Sequence, residues 1–188
     1  MKKRFVSLVV LVIISIVVIT KLDIKVGNSY VTKDIYKFLE NEGNRREVYG
    51  AAIDLNEGSS ANTCVYFIAE VLRRNNFNVP KEINNTEQII YIFMENGFKK
   101  QSDYENLAPG DICFTTDNNG ETSGFPTHTY VFMKWVKEGN YDYAYICDNQ
   151  AKDYNDEVYH IRNINVRTRF NGFDKDAFSF FMKSSHFL

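Results

Sequence analysis

The hydrophobic pattern changes period once along this chain, and that change restricts the fold more than any other feature. Up to about Asn96 the apolar residues recur at helical spacing. Beyond Asp111 they alternate or run together in short segments, as in strands. Helices first and strands afterwards is the order of an α+β domain, not of alternating βαβ units. Three helices are predicted. Val31 to Glu42 carries Val31, Ile35, Phe38 and Leu39 on one face and stops at Gly43. Asn62 to Arg74 carries Val65, Ile68, Ala69 and Leu72, with Ser60 or Asn62 as N-cap. Thr86 to Asn96 carries Ile89, Ile90, Ile92 and Phe93, with Thr86 as cap and Gly97 as stop. The glycine-containing polar stretch 43–60 reads as a connection. Strands are expected at Asp111–Thr116, Thr127–Val136, Tyr141–Asp148 and Val158–Ile164, the middle two joined by a turn at Glu138-Gly139-Asn140. Ala177–Met182 reads as a last strand or a short helix.

The amino terminus is of another kind. Lys2, Lys3 and Arg4 precede an apolar run from Phe5 to Thr20 that contains no charge. Such a run is a membrane anchor or a signal peptide. Leu22, Ile24 and Val26 can extend it, and Lys21 can reach the headgroups. Gly27-Asn28-Ser29 is a poor, distant cleavage site, so an uncleaved single-pass signal-anchor over residues 1–26 is expected, followed by a domain over 27–188. The basic residues lie before the run, which places that domain outside the cytoplasm. The composition of the whole chain excludes disorder: 44% of residues are hydrophobic and 15% aromatic. A net charge of −2 without a basic stripe gives no footprint for a nucleic acid.

Of three cysteines, Cys113 and Cys147 fall in apolar strand-like runs and read as small buried residues rather than as a bridge. Cys64 differs. It falls in the first turn of a helix, where unpaired backbone N–H groups and the positive end of the helix dipole favour a thiolate and can hold an oxyanion. His128 stands where a loop enters a strand, accessible yet held, as a general base must be. His160, inside a strand, and His186, in the tail, are weaker candidates. The strand that returns to His128 ends in Asp148-Asn149, and either residue can orient the imidazole. A carboxylate at Asp148 would also stabilise the imidazolium, while a slip of one residue in register would exchange the two. No spacing for a metal site and no phosphate loop is present, so no cofactor is expected.

The order Cys64, His128, Asp148/Asn149 resembles that of papain-fold bacterial hydrolases. The closest resemblance is to the cysteine, histidine-dependent amidohydrolase/peptidase (CHAP) family and the related NlpC-type family. Asn62-Thr63-Cys64-Val65-Tyr66-Phe67 is similar to their cysteine-bearing helix, and Leu107-Ala108-Pro109-Gly110-Asp111 to their Leu-x-Pro-Gly-Asp turn before a strand. His128-Thr129-Tyr130-Val131-Phe132 is similar to their histidine strand, and Phe178–Met182 to an aromatic last strand. The resemblance spans about residues 31–188. It departs at Thr63-Cys64-Val65-Tyr66, where the NlpC-type pattern has Asp-Cys-Ser-Gly, and at Tyr130, where a small residue is usual.

What the resemblance implies is a papain-like cysteine peptidase or amidase acting on peptidoglycan. It also implies Asn149 as an alternative third residue and Tyr49 as an oxyanion or substrate contact, with Asn62 as the alternative. Two other readings stay open: an acyl transferase or protein-directed peptidase on the same fold, and a catalytically silent surface-binding module.

Overall fold

The computed structural model describes residues 31–184. The expected anchor over residues 1–26 and His186 lie outside them, and no helix among the described residues is long and apolar enough to cross a membrane. The described chain is α+β: four helices precede or flank an antiparallel sheet. Helix α1 covers 31–40, α2 Glu42–Leu55, α3 Cys64–Arg74 and α4 Thr86–Glu95. The strands are β1 (Phe98–Gln101), β2 (Ile112–Thr115), β3 (Thr129–Lys137), β4 (Asn140–Cys147), β5 (Tyr159–Asn163), β6 (Thr168–Phe170), β7 (Phe173–Lys175) and β8 (Phe178–Ser184). Six of them form one sheet in the order β1-β8-β2-β3-β4-β5, and β6 and β7 form a separate hairpin.

Most of the segment expected to be a polar connection is helix α2. Its apolar face is narrow, with only Val48 and Ala52 buried, and it contains Gly43 and Gly50, so no hydrophobic stripe announces it. Local hydrogen bonds fix it instead. The Asn41 side chain accepts from the Asn44 N–H as N-cap. Asn44 Nδ2 and Arg45 Nη1 then donate back to the Phe38 and Leu39 carbonyls that end α1. Two helix ends thereby satisfy each other across a single non-helical residue.

The expected caps also move. Thr63, not Ser60 or Asn62, precedes α3, and no side chain caps that helix. Asn85 caps α4 by accepting from the Gln88 N–H at 2.9 Å. Thr86 instead donates to the Pro126 carbonyl at 2.9 Å, which ties α4 to the loop before His128. Strand β1 was not expected, because Phe98 alone of its four residues is buried and no alternation shows. It is a sheet edge, and its Lys99 and Lys100 discourage further pairing.

One face of the sheet meets the helices through Ile112, Phe114, Val131, Met133, Cys147, Phe180 and Met182, packed on Phe67, Ile68, Val71, Leu72, Ile89 and Phe93. Phe77, Phe93 and Phe98 form a cluster with centroids 5.1–6.1 Å apart that seals α4 against β1. The opposite face carries Cys113, Tyr130, Phe132, Ala144, Ile146 and Phe181. Tyr104, Trp135, Tyr141 and Phe178 pack edge-on or tilted around it.

The Pro109-Gly110-Asp111 turn locks the start of β2. The Gly110 N–H donates to the Phe132 carbonyl at 2.7 Å, and the Phe132 N–H donates to the Asp111 carbonyl at 2.9 Å. Asp111 Oδ2 accepts from the Ala108 N–H and from Lys183 Nζ on β8, at 2.9 and 3.0 Å. This motif is therefore a joint between three strands. Gly110 has φ +94°, and a Cβ there would lie 1.8 Å from the Thr32 carbonyl oxygen of α1. Both the positive φ and the contact exclude a side chain. Gly110→Ala is expected to destabilise the fold by about 2 kcal/mol or more, read as a lower urea midpoint at unchanged slope.

Candidate functional site

Three elements converge at the start of α3. The first is the loop 59–63, closed by Asn56 Nδ2 donating to the Ser59 and Ala61 carbonyls at 3.0 and 2.8 Å. Asn62 sits in the left-handed region at φ 56°, which turns the chain sharply into the helix. The Thr63 hydroxyl donates to the Ser60 carbonyl at 2.9 Å and accepts from Asn149 Nδ2 at 3.0 Å. Thr63 is thus turned away from the helix it precedes, and the first N–H groups of α3 are left without a side-chain acceptor. Cys64, partly exposed, is the first residue of α3.

The second element is the start of β3. Thr115 on β2 anchors it: the His128 N–H donates to the Thr115 hydroxyl, and the Thr115 N–H donates to the His128 carbonyl, at 3.0 and 3.1 Å. The ring of His128 is therefore fixed at both backbone groups. It lies buried between Cys64 and Asp148. Its Nε2 is 2.8 Å from Asp148 Oδ2. A carboxylate only accepts, so Nε2 carries the proton. Nδ1 is the nitrogen not engaged by Asp148, and Cys64 is among the neighbours that raise the proton affinity of the ring.

The third element is the end of β4. Asp148 is fully buried. Its Oδ1 accepts from the Gln150 N–H at 2.8 Å and lies 3.8 Å from His160 Nε2 on β5. Burial opposes the charged carboxylate, but His160, His128 and the Gln150 N–H together outweigh it and hold Asp148 ionised well below the usual carboxylate range. For His128, burial works against the cation. The hydrogen bonds and charges of Asp148 and Cys64 prevail and raise it from 6.5 to about 9. His128 is therefore an imidazolium at neutral pH.

Of the two alternatives for the third position, Asp148 contacts the imidazole and Asn149 does not. Asn149 instead holds Thr63, so it positions the loop that carries Cys64. The Tyr49 hydroxyl is buried near Ser60 with no hydrogen bond of normal geometry. Burial and the nearby Asp156, Asp148 and Asp153 raise it above its ordinary range. Asn62 is exposed and begins a cavity of about 380 Å³, lined also by Asn149, Gln150, Asp153, Phe173 and Lys175. Cys113 and Cys147 are buried free thiols, each pushed far above the ordinary thiol range chiefly by burial. Cys64 is the accessible one.

The sequence places His160 only among the weaker candidates for the base; the structure puts it behind Asp148, because Ile146, two residues before Asp148, pairs in register with His160 on the next strand. No group of histidine, cysteine or carboxylate residues that could hold a metal ion occurs among the described residues. No protein-family model, curated protein or solved structure matches the chain.

The His128–Asp148 pair makes stability depend on pH. A histidine whose folded-state value is raised stabilises the fold fully below its unfolded value, near 6.5, and that contribution is lost as pH rises through about 9. The loss is roughly 3 kcal/mol at most. The urea midpoint of the native protein is expected to fall between pH 6.5 and 9.5. In Asp148→Asn the fall over that window should largely vanish, on top of a lower midpoint at pH 6.5.

Proposed function

We propose that this protein is a papain-like cysteine hydrolase that cleaves an amide bond in peptidoglycan, tethered outside the cytoplasmic membrane by residues 1–26. One arrangement carries the reading: Cys64 at the uncapped start of α3, close enough to His128 to raise its proton affinity, with His128 Nε2 held 2.8 Å from the buried Asp148. Each part does one job that amide hydrolysis needs.

The Cys64 sulfur, having given its proton to His128 Nδ1, attacks the amide carbon. The carbonyl oxygen takes the electron pair and is met by backbone N–H groups at the start of α3. As the tetrahedral species collapses, the C–N bond breaks and His128 returns the proton to the departing nitrogen, which leaves as an amine. A thioester remains on Cys64. Water, deprotonated by His128, attacks it, and the acid is released with the thiol restored. Asp148 keeps the imidazole in one tautomer throughout and balances its charge.

The substrate class rests on the resemblance to CHAP and NlpC-type hydrolases and on the expected position at the outer membrane face. The cavity of about 380 Å³ lined by Asn62 and Phe173 opens beside the loop that leads into Cys64, a volume in the range of small-ligand pockets. Full-length protein in mild detergent, incubated with purified peptidoglycans of several cross-bridge chemistries, is expected to release fragments whose masses reveal the broken bond. Cys64→Ala should lose activity by at least about 10³-fold. Equal fragment release by Cys64→Ala would rule the mechanism out. Fragment binding without cleavage by either protein would favour a silent binding module.

A further inference from the structure

Behind Asp148, on the side away from His128, stands a second histidine with an unusual set of contacts. His160 is buried on β5. Its Nδ1 lies 3.1 Å from the Glu157 carbonyl oxygen. A carbonyl only accepts, so Nδ1 holds a proton. Neutral His160 therefore presents a bare Nε2 to Asp148 Oδ1 at 3.8 Å, and that nitrogen has no hydrogen-bond partner. The ring cannot turn freely. Tyr154 stacks on it at 3.6 Å and 11°, and Phe170 of the β6–β7 hairpin stacks on Tyr154 at 4.7 Å. The hairpin is itself fastened by Lys175 Nζ, 2.5 Å from Asp153, and by Asn171 Nδ2 donating to the Asp153 carbonyl at 2.7 Å.

This much construction around one ring is more than filling a core position requires. Building on the Cys64–His128–Asp148 reading above, we propose that His160 is a positioning residue of that site, acting on Cys64 through Asp148 and His128 without touching substrate. While neutral, it walls Asp148 from behind and leaves the carboxylate's charge to His128. When it takes a proton on Nε2, that N–H points at Oδ1 and shares the carboxylate between two cations, which weakens the hold on the His128 imidazolium and so on the thiolate.

The groups around His160 fit this role. They are Asp148 from the end of β4, His128 from the start of β3, Tyr154 from the turn after β4, and Arg162 from its own strand. Burial lowers the histidine from its ordinary value, Arg162 and His128 add to that, and Asp148 with the Glu157 carbonyl opposes it. His160 is therefore neutral at physiological pH and takes its proton on the acid side.

The test reads the sulfur directly and needs no substrate. Iodoacetamide is applied to the native full-length protein at pH 4.5 to 9, and carbamidomethylation of Cys64 is timed by mass spectrometry. Cys113 and Cys147 are fully buried and serve as internal controls. The native rate is expected to fall with two protons on the acid limb. In His160→Gln one of those protons should disappear and the acid limb become shallower. His160→Ala, which also frees the carboxylate to move, should be slower at pH 7 by roughly tenfold, the equivalent of one pKa unit at His128. If His160→Ala does not fold, the profile of His160→Gln decides alone. Profiles of the folded variants that superimpose on the native one would overturn the proposal. Asp148→Asn separates the two levels: if it too leaves the profile unchanged, the underlying Cys64–His128–Asp148 reading fails as well. If only Asp148→Asn shifts it, that reading stands and the role of His160 falls.

Discussion

A carboxylate with no exposed surface sits at the end of β4, and much of the local structure exists to make that tolerable. Removing an ion from water costs several kcal/mol even after the protein relaxes. Asp148 recovers this from the proton of His128 and from the Gln150 N–H, with His160 adding to it only on the acid side, once protonated. Each of these partners needs its own support. Thr115 on β2 holds the backbone of His128, the Pro109-Gly110-Asp111 joint holds β2 against β3, and Lys183 ties that joint to β8. The antiparallel sheet is thus the frame that lets one negative charge be buried at a chosen place.

The same charge explains why residues so far apart in sequence act together. Asp148 and Asn149 are neighbours with divided duties. The carboxylate looks towards His128, while the amide reaches across to Thr63 and fixes the loop before Cys64. Two adjacent side chains at one strand end therefore align His128 and place the helix that begins at Cys64. A shift of one residue in β4 would lose both at once, and the buried pairing of Val131 with Cys147 and of Ile146 with His160 holds that register.

Much of the fold was legible in the sequence because its signals were hydrophobic and periodic. Helices α1, α3 and α4 and strands β2 to β5 each bury a stripe or a run, and each was expected within a few residues of where it lies. Helix α2 and strand β1 were not, because neither owes its place to a stripe. One is set by side-chain bonds from Asn41, Asn44 and Arg45, the other by pairing with β8 along an otherwise polar edge. The β6–β7 hairpin did carry a signal, the Asn171-Gly172 pair with φ 49° and 85°. It was masked by flanking strands of three residues, too short to alternate convincingly. At the candidate site, Cys64, His128 and Asp148 could be nominated from their positions at element boundaries. The division of labour between Asp148 and Asn149, and the presence of His160, depend on cross-strand register, which no single segment encodes.

Thr63 has one more consequence. Threonine is a competent helix cap, and a capped start would gain about 1 kcal/mol. Here its hydroxyl is committed to Ser60 and Asn149, so the helix begins with its N–H groups unoccupied. The chain forgoes a side-chain cap at the helix start next to Cys64, where the proposed hydrolase mechanism would call on free N–H groups. Thermal hardening of this protein by conventional helix-cap optimisation would aim a side-chain oxygen at those N–H groups and, under the proposed mechanism, set it against the oxyanion. On that reading, position 63 is where stability and reactivity are exchanged one for the other.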